Sequence, residues 1–144
     1  MTKYAGFAGF LKQNAATGVA TGTYNTVTQL LTITAVGSNR GEIDVSAHGD
    51  TWSDFLPGRF EGLQVTLTLL HDPTVTTHSN VKADYDATTP PVRYYELQHP
   101  SWATAYRFPS VVTSWEVEAT DDAGMESHAV LRIVTPGVTA VTPS

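Results

Sequence analysis

The chain has 144 residues, enough for one domain with one sizeable core. Eight Lys and Arg against 14 Asp and Glu leave a net charge of −6, which argues against tight nucleic-acid binding, because that needs a basic footprint. The absence of cysteine excludes disulfide scaffolds, thiolate zinc sites and cysteine nucleophiles. Apolar runs of only a few residues exclude a membrane-spanning helix, and Met1-Thr2-Lys3-Tyr4 opens no long apolar stretch, so export by a signal peptide is not expected. Threonine and valine are abundant; both are β-branched and favour strands.

Residues 1–22 are rich in Gly, Ala, Asn and Thr and read as a flexible N-terminal arm, with an edge strand as the alternative. Val27 to Val36 is strand-like and apolar on both parities. Gly37-Ser38-Asn39-Arg40-Gly41 reads as a turn. Ile43, Val45 and Ala47 then alternate with Glu42, Asp44 and Ser46, as in a half-buried strand. Residues 48–62 break the pattern and read as a long, aromatic loop, a length that signals function. Leu63, Val65, Leu67 and Leu69 mark the cleanest strand. Asp72-Pro73 predicts a helix start, with Val75, His78, Val81 and Tyr85 at helical spacing and Thr88-Thr89-Pro90-Pro91 as the stop.

The second half returns to strands. Val92 to Gln98 alternates. Tyr106 to Glu118 changes parity, which predicts a bulge near Pro109. Asp121-Asp122-Ala123-Gly124 is a turn before a last strand carrying Ser127, Ala129, Leu131 and Ile133. Residues 137–144 read as a short tail. The expected domain therefore covers residues 23–136: all-β with one short helix, built as a β-sandwich or small barrel.

Catalytic patterns are weak. His71, Asp72 and His78 match no metal-ligand spacing, and a helix cap with a surface histidine explains them better. Asp121, Asp122 and Glu126 lack the alternation of a calcium loop. Glu116 and Glu118 share a strand face, as a glycosidase pair would, but a solvated edge accounts for them. Neither a nucleophile elbow nor a phosphate loop is present. Trp52, Trp102 and Trp115 with Tyr94 and Tyr95 are the candidates for a sugar-stacking platform; aromatics of a β-sandwich more often fill a core or an interface.

One stretch carries a family resemblance. Ile43-Asp44-Val45-Ser46-Ala47-His48, then Trp52-Ser53-Asp54-Phe55-Leu56-Pro57-Gly58, resembles the tail tube (major tail) proteins of long-tailed bacteriophages. Those carry an I-D-V-T-x-H strand, then W-x-E-F-x-x-G-L-x-D-G, then an alternating strand ending in D-P. Here that strand is Gln64-Val65-Thr66-Leu67-Thr68-Leu69-Leu70-His71-Asp72-Pro73. Tyr106-Arg107-Phe108-Pro109-Ser110-Val111-Val112-Thr113-Ser114-Trp115 is similar to the family's F-x-A-F-V-T-S-F strand. Arg59-Phe60-Glu61-Gly62 departs from the usual L-x-D-G.

The resemblance implies a β-sandwich whose sheets join those of neighbours into a continuous barrel around a lumen. It implies hexameric rings stacked head to tail, viral DNA passing through without specific binding, and contacts with terminator, tape-measure and distal tail proteins. Cofactors, metals and catalysis are not expected, nor is a membrane; the place is the virion tail, with assembly in the host cytoplasm. Within the 48–62 loop, Trp52, Phe55, Leu56, Pro57, Gly58 and Phe60 are the inter-ring candidates. Their aromatics suit a heterologous contact that propagates stacks. Glu42, Asp44, Gln64, Thr66 and Thr68 are the lumen candidates, since an acidic or hydroxyl-bearing surface does not trap phosphate. The rivals are a carbohydrate-binding β-sandwich module, which a glycan-induced change in tryptophan fluorescence would reveal, and a secretion-system tube protein of related fold.

Overall fold

The computed structural model describes residues 11–143 apart from 29, 35, 45–48, 50–54, 73, 99–102 and 120–124. In chain order the elements are β1 (Leu11–Asn14), β2 (Tyr24–Thr26), β3 (Leu30–Ile33), β4 (Ser38–Asp44), β5 (Phe55–Gly62) and β6 (Gln64–Leu70). After them come α1 (Thr76–Asp86), β7 (Arg93–Leu97), β8 (Ala105–Ala119), β9 (Met125–Ile133) and β10 (Thr139–Val141). Eight strands form one antiparallel sheet in the order β2-β1-β7-β8-β9-β6-β3, with β10 continuing beside β8; β4 and β5 form a separate two-stranded sheet.

The strand alternation read from β6 and β9 holds. Val65, Leu67 and Leu69 of β6 and Ala129, Leu131 and Ile133 of β9 are buried on one face. They join Leu11, Val27, Leu30, Tyr95, Phe108 and Val112 in a single core, with Val81 of α1 packed among them. The expected β-sandwich whose sheets join those of neighbours into a continuous barrel is overturned. The sheet is open, ending at β2 and β3, and its ends are not joined. α1 packs Val81 into the core from the apolar face, and β4–β5, inserted between the paired strands β3 and β6, forms a sheet of its own.

Local departures have local causes. Residues 11–14, expected in the arm, form β1. Buried Asn14 organises the adjoining loop: its Nδ2 donates to the carbonyls of Val19 and Thr21 (2.9 and 3.1 Å), and its Oδ1 accepts from the Ala16 N–H. Gly22 lies in this loop at φ +131°, where a Cβ would meet Asn14 Oδ1 at 3.0 Å. Residues 38–41, expected as a turn, belong to β4, and residues 55–62, expected as loop, form β5. The β8 bulge lies between Val112 and Ser114, not near Pro109. Ser110 occupies a core position and donates to the Arg93 carbonyl, so parity survives until Thr113. Val111, expected among the core set, therefore lies on the opposite face.

The helix begins at Thr76 after Val75, not at Asp72. Asp72 Oδ1 accepts from the N–H and hydroxyl of Thr74 (3.0 and 2.6 Å) and so closes a turn instead of a cap. The buried helix residues are Thr77, His78, Val81 and Asp84. Tyr85, expected on the inner face, is exposed. Asp84 takes that place because Arg93 waits beneath it. Nε and Nη2 of Arg93 donate to the two Asp84 oxygens (2.7 and 3.0 Å), and Nη1 donates to the Asn14 carbonyl at 2.7 Å. A buried ion pair needs this degree of satisfaction to be tolerated. Beside it, Gln13 Nε2 donates to the Thr77 carbonyl and the Tyr95 hydroxyl (both 3.1 Å), and Asn80 Nδ2 donates to Gln13 Oε1 at 2.9 Å. Helix, β1 and β7 are thereby locked together by polar groups.

Candidate functional site

Two surfaces remain once the core is built: the sheet face without the helix, and the β4–β5 hairpin. On the helix-free face, alternation places Gln64, Thr66 and Thr68 of β6 beside Arg132, Val130 and His128 of β9. The next strand adds Ser114, Glu116 and Glu118. His128 stands at the centre. Its Nδ1 lies 3.3 Å from Thr68 Oγ1, and its Nε2 lies 3.2 Å from Glu118 Oε2 and 3.8 Å from Glu126 Oε1. Neither carboxylate is aligned for a hydrogen bond with Nε2. Glu118 sits directly opposite Glu126, a like-charge pairing that normally weakens a sheet. This half of the face presents Glu116, Glu118 and Glu126 with His128 and Arg132.

The other half is self-neutralised. Arg107 donates through Nε and Nη2 to Glu96 Oε1 (3.2 and 2.8 Å) and stacks 4.5 Å over the Tyr24 ring. Gln98 Nε2 donates to Glu96 Oε2, and Glu96 is fully buried. Burial pushes the Tyr24 phenol above its ordinary pKa, against the opposing pull of Arg107. Charge on this face is therefore uneven, with its exposed carboxylates at the β8–β9 end.

The five lumen candidates separate. Gln64, Thr66 and Thr68 share the helix-free face, whereas Glu42 and Asp44 lie on β4 in the second sheet. Of the inter-ring candidates, Phe55, Leu56, Pro57, Gly58 and Phe60 lie on β5, and Trp52 falls outside the described residues. Sequence reasoning passed over Glu126 and His128 as a pair. Their signal was present as polar residues at i, i+2 on the outward parity of β9, but only the β8–β9 register sets them against Glu116 and Glu118.

The hairpin joins the sheet through a tight base. Leu63 N–H donates to the Gly37 carbonyl at 3.1 Å, and Ile133 N–H donates to the Leu63 carbonyl at 3.3 Å. A Cβ on Gly62 would fall 2.0 Å from the Ile133 carbonyl oxygen, so only glycine permits this approach. A groove of about 610 Å³ opens beside this joint, lined by Glu61, Gly62, Arg132 and residues 133–138.

The remaining candidates are taken up in packing. Tyr95 is fully buried against Phe108 at 6.0 Å, and burial drives its phenol far above the ordinary range. Trp115 is half-buried on the helix side, with Lys82 Nζ 4.8 Å over its ring and His71 edge-on at 6.1 Å. These two aromatics do not form one platform with Tyr94, which sits on the opposite parity of β7. Trp102 lies outside the described residues. His78 Nε2 lies 2.7 Å from the Thr28 carbonyl, tying α1 to the loop before β3. Among the described residues, no group of three His, Asp or Glu is placed to hold a metal, and no helix is long and apolar enough to cross a membrane.

No protein-family model matches the chain, and no curated protein matches it. Its fold, however, is similar to that of several solved structures. One is a chain from the tail of an empty gene transfer agent particle with C6 symmetry, at TM-score 0.69 and 12% identity over 94% of this chain and 95% of that one. Another is from the SPP1 tail tube, at TM-score 0.67 and 13% identity over 96% of this chain and 78% of that one. A third is from the six-fold symmetrised baseplate of the anti-feeding prophage, at TM-score 0.66 and 9% identity over 99% of this chain and 98% of that one. The chain thus has the fold of tail-tube and injection-system chains, and at these identities the likeness extends to the fold alone.

Proposed function

We propose that this chain is a non-catalytic structural subunit of a viral tail tube. Six copies close into a ring, rings stack head to tail, and viral DNA passes along the lumen. The observation that carries this reading is the agreement in fold, along almost the whole chain, with chains from tails and a tail tube. The helix-free sheet face supports it. Gln64, Thr66 and Thr68 offer hydroxyl and amide groups in place of a basic footprint, and Glu116, Glu118 and Glu126 repel phosphate. A conduit has to avoid tight ionic contacts with the backbone it carries. The face needs only to line a lumen; the open sheet of each subunit is not required to fuse with its neighbours. The residue set on β5 around Phe55, Leu56 and Phe60, with Trp52, makes the contact to the adjoining ring. Terminator, tape-measure and distal tail proteins are the expected partners at the ends of the tube, in a virion tail assembled in the host cytoplasm.

A second reading has its own observation: the same fold occurs in the baseplate of the anti-feeding prophage and in an extracellular contractile injection system. The subunit then builds an injection-system tube. Negative-stain microscopy of the purified protein at rising concentration tests both, with preformed tail tips added as initiators. Rings and hollow tubes are the expected result. Dispersed protein under every condition, initiators included, overturns both readings. Nuclease-protected DNA inside particles isolated from producing cells selects the viral tube over the injection device.

A further inference from the structure

The groove beside the hairpin joint carries an unpaired positive charge. Arg132 lines it and is exposed, and among the described residues no carboxylate pairs with its guanidinium. Glu61, the other charged residue of the groove, makes no ion pair with it. Val134, Pro136 and Val138 supply an apolar wall, and Val138 packs against the core. The planar fork of an arginine suits carboxylate oxygens. This groove therefore fits a carboxylate that has an apolar neighbour.

The far end of the β8–β9 ladder offers that combination. Glu118 and Glu126 stand opposite each other there, a like-charge pair that weakens a sheet. The His128 imidazole lies 3.2 and 3.8 Å from them without a hydrogen bond to either. On the other face of this tip, Val117 and Met125 are 36% and 51% exposed. Glu126 and Arg132 sit near opposite ends of β9, about 20 Å apart along a strand, so Arg132 cannot reach the tip of its own chain. With a period of two, both lie on the helix-free face, and Met125 and Ile133 on the helix side. Tip and groove thus present charge on the same side of the sheet and apolar surface on the other.

We propose that the groove of one copy takes the β8–β9 tip of a second copy, with Arg132 between Glu118 and Glu126 and with Val117 and Met125 against the apolar wall. One orientation satisfies both halves of the contact, because charge and apolar surface keep the same sides at the two ends. A guanidinium shared by two opposed carboxylates relieves their repulsion. It also leaves the site with a net negative charge, so the face still gives phosphate no cationic hold. The two surfaces differ, so the contact is heterologous: each copy keeps one tip or one groove open, and copies add head to tail. It is separate from the contact proposed for β5. The inference does not depend on the tube reading.

Disabling one end at a time tests it, with multi-angle light scattering on the full chain at low salt and concentrations up to ~1 mM, the range a weak contact requires. The wild-type mass is expected to climb past twice the 15.5 kDa of one chain and to fall back as added salt screens the charges. Arg132→Glu disables the groove, and Glu118→Gln with Glu126→Gln disables the tip. Each variant alone is expected to associate at least about tenfold more weakly, with an unchanged circular dichroism spectrum. Mixed in equal amounts, they retain one working contact, the tip of the first in the groove of the second, and form a one-to-one complex that grows no further. Glu61→Gln removes the carboxylate of the groove itself and is expected to tighten association. A wild-type monomer at every concentration overturns the proposal. So does association that ignores the single-end variants, a mixture that fails to pair, or weaker association of Glu61→Gln. Microscopy of the same samples keeps the questions apart: charge-sensitive association without tubes counts against the tube subunit alone, and tubes indifferent to these variants count against this contact alone.

Discussion

The helix-covered half of the molecule and the β4–β5 hairpin hold their places by different means. Around α1, burial is extensive and polar groups meet within it: Arg93 grips Asp84, and Gln13 bridges Thr77, Tyr95 and Asn80. The hairpin has one sheet partner, and its anchorage is a backbone crossing at Gly62 over Ile133. The first arrangement makes a rigid platform that presents one sheet face. The second makes an arm anchored at its base.

The sharpest way to break the contrast is at Arg93. Arg93→Ala strands a buried Asp84 carboxylate and is expected to cost about 3–5 kcal/mol, read as a fall in urea midpoint for the whole protein. Gly62→Ala comes next. Its Cβ has no room beside Ile133, and the expected loss is about 1–3 kcal/mol. Hydrogen exchange should show faster opening at the hairpin base after this change; uniform exchange throughout would mean the joint is not a separate unit. Gln13→Ala leaves the Thr77 carbonyl and the Tyr95 hydroxyl without this donor, for about 1–3 kcal/mol.

A smaller effect appears at high pH. The buried Tyr95 phenol is raised from its ordinary value of 10.0. Such a group contributes stability that is whole below pH 10 and is lost as pH climbs towards its folded value. Denaturation titrated above pH 10 should show falling stability in the wild type and a weaker dependence in Tyr95→Phe. Phe55→Asp should abolish ring stacking under the microscope, because a carboxylate replaces an aromatic proposed to meet the adjoining ring. Normal tubes from it would remove β5 from the inter-ring contact.

How much was legible beforehand depends on how local each signal was. β6 and β9 were readable because their alternation is strict and one face is buried. The helix was readable from its spacing and from the two prolines after it, though not its first residue. Asp72 had a nearer bond to make with Thr74. β1 was hidden because Lys12, Gln13 and Asn14 are polar. Gln13 and Asn14 are nevertheless buried, with partners far along the chain or in the loop that Asn14 itself organises. β5 was hidden because Phe55-Leu56-Pro57-Gly58-Arg59 contains a proline and a glycine, which read as loop until β4 pairs with them around a bulge.

By itself the sequence determined the class of structure: β-branched and alternating residues commit the chain to strands, Pro90-Pro91 halts the only helical pattern, and the charge balance denies it a basic surface. Those are properties of neighbours along the chain. The tertiary structure alone decided that the main sheet stays open, that α1 packs against its apolar face, and that β4–β5 pairs in a sheet of its own. It alone set Glu116, Glu118 and Glu126 around His128, and Arg93 under Asp84. Each of these depends on which strand lies beside which. That choice is made by packing and hydrogen bonding between residues far apart in sequence, so no local pattern records it.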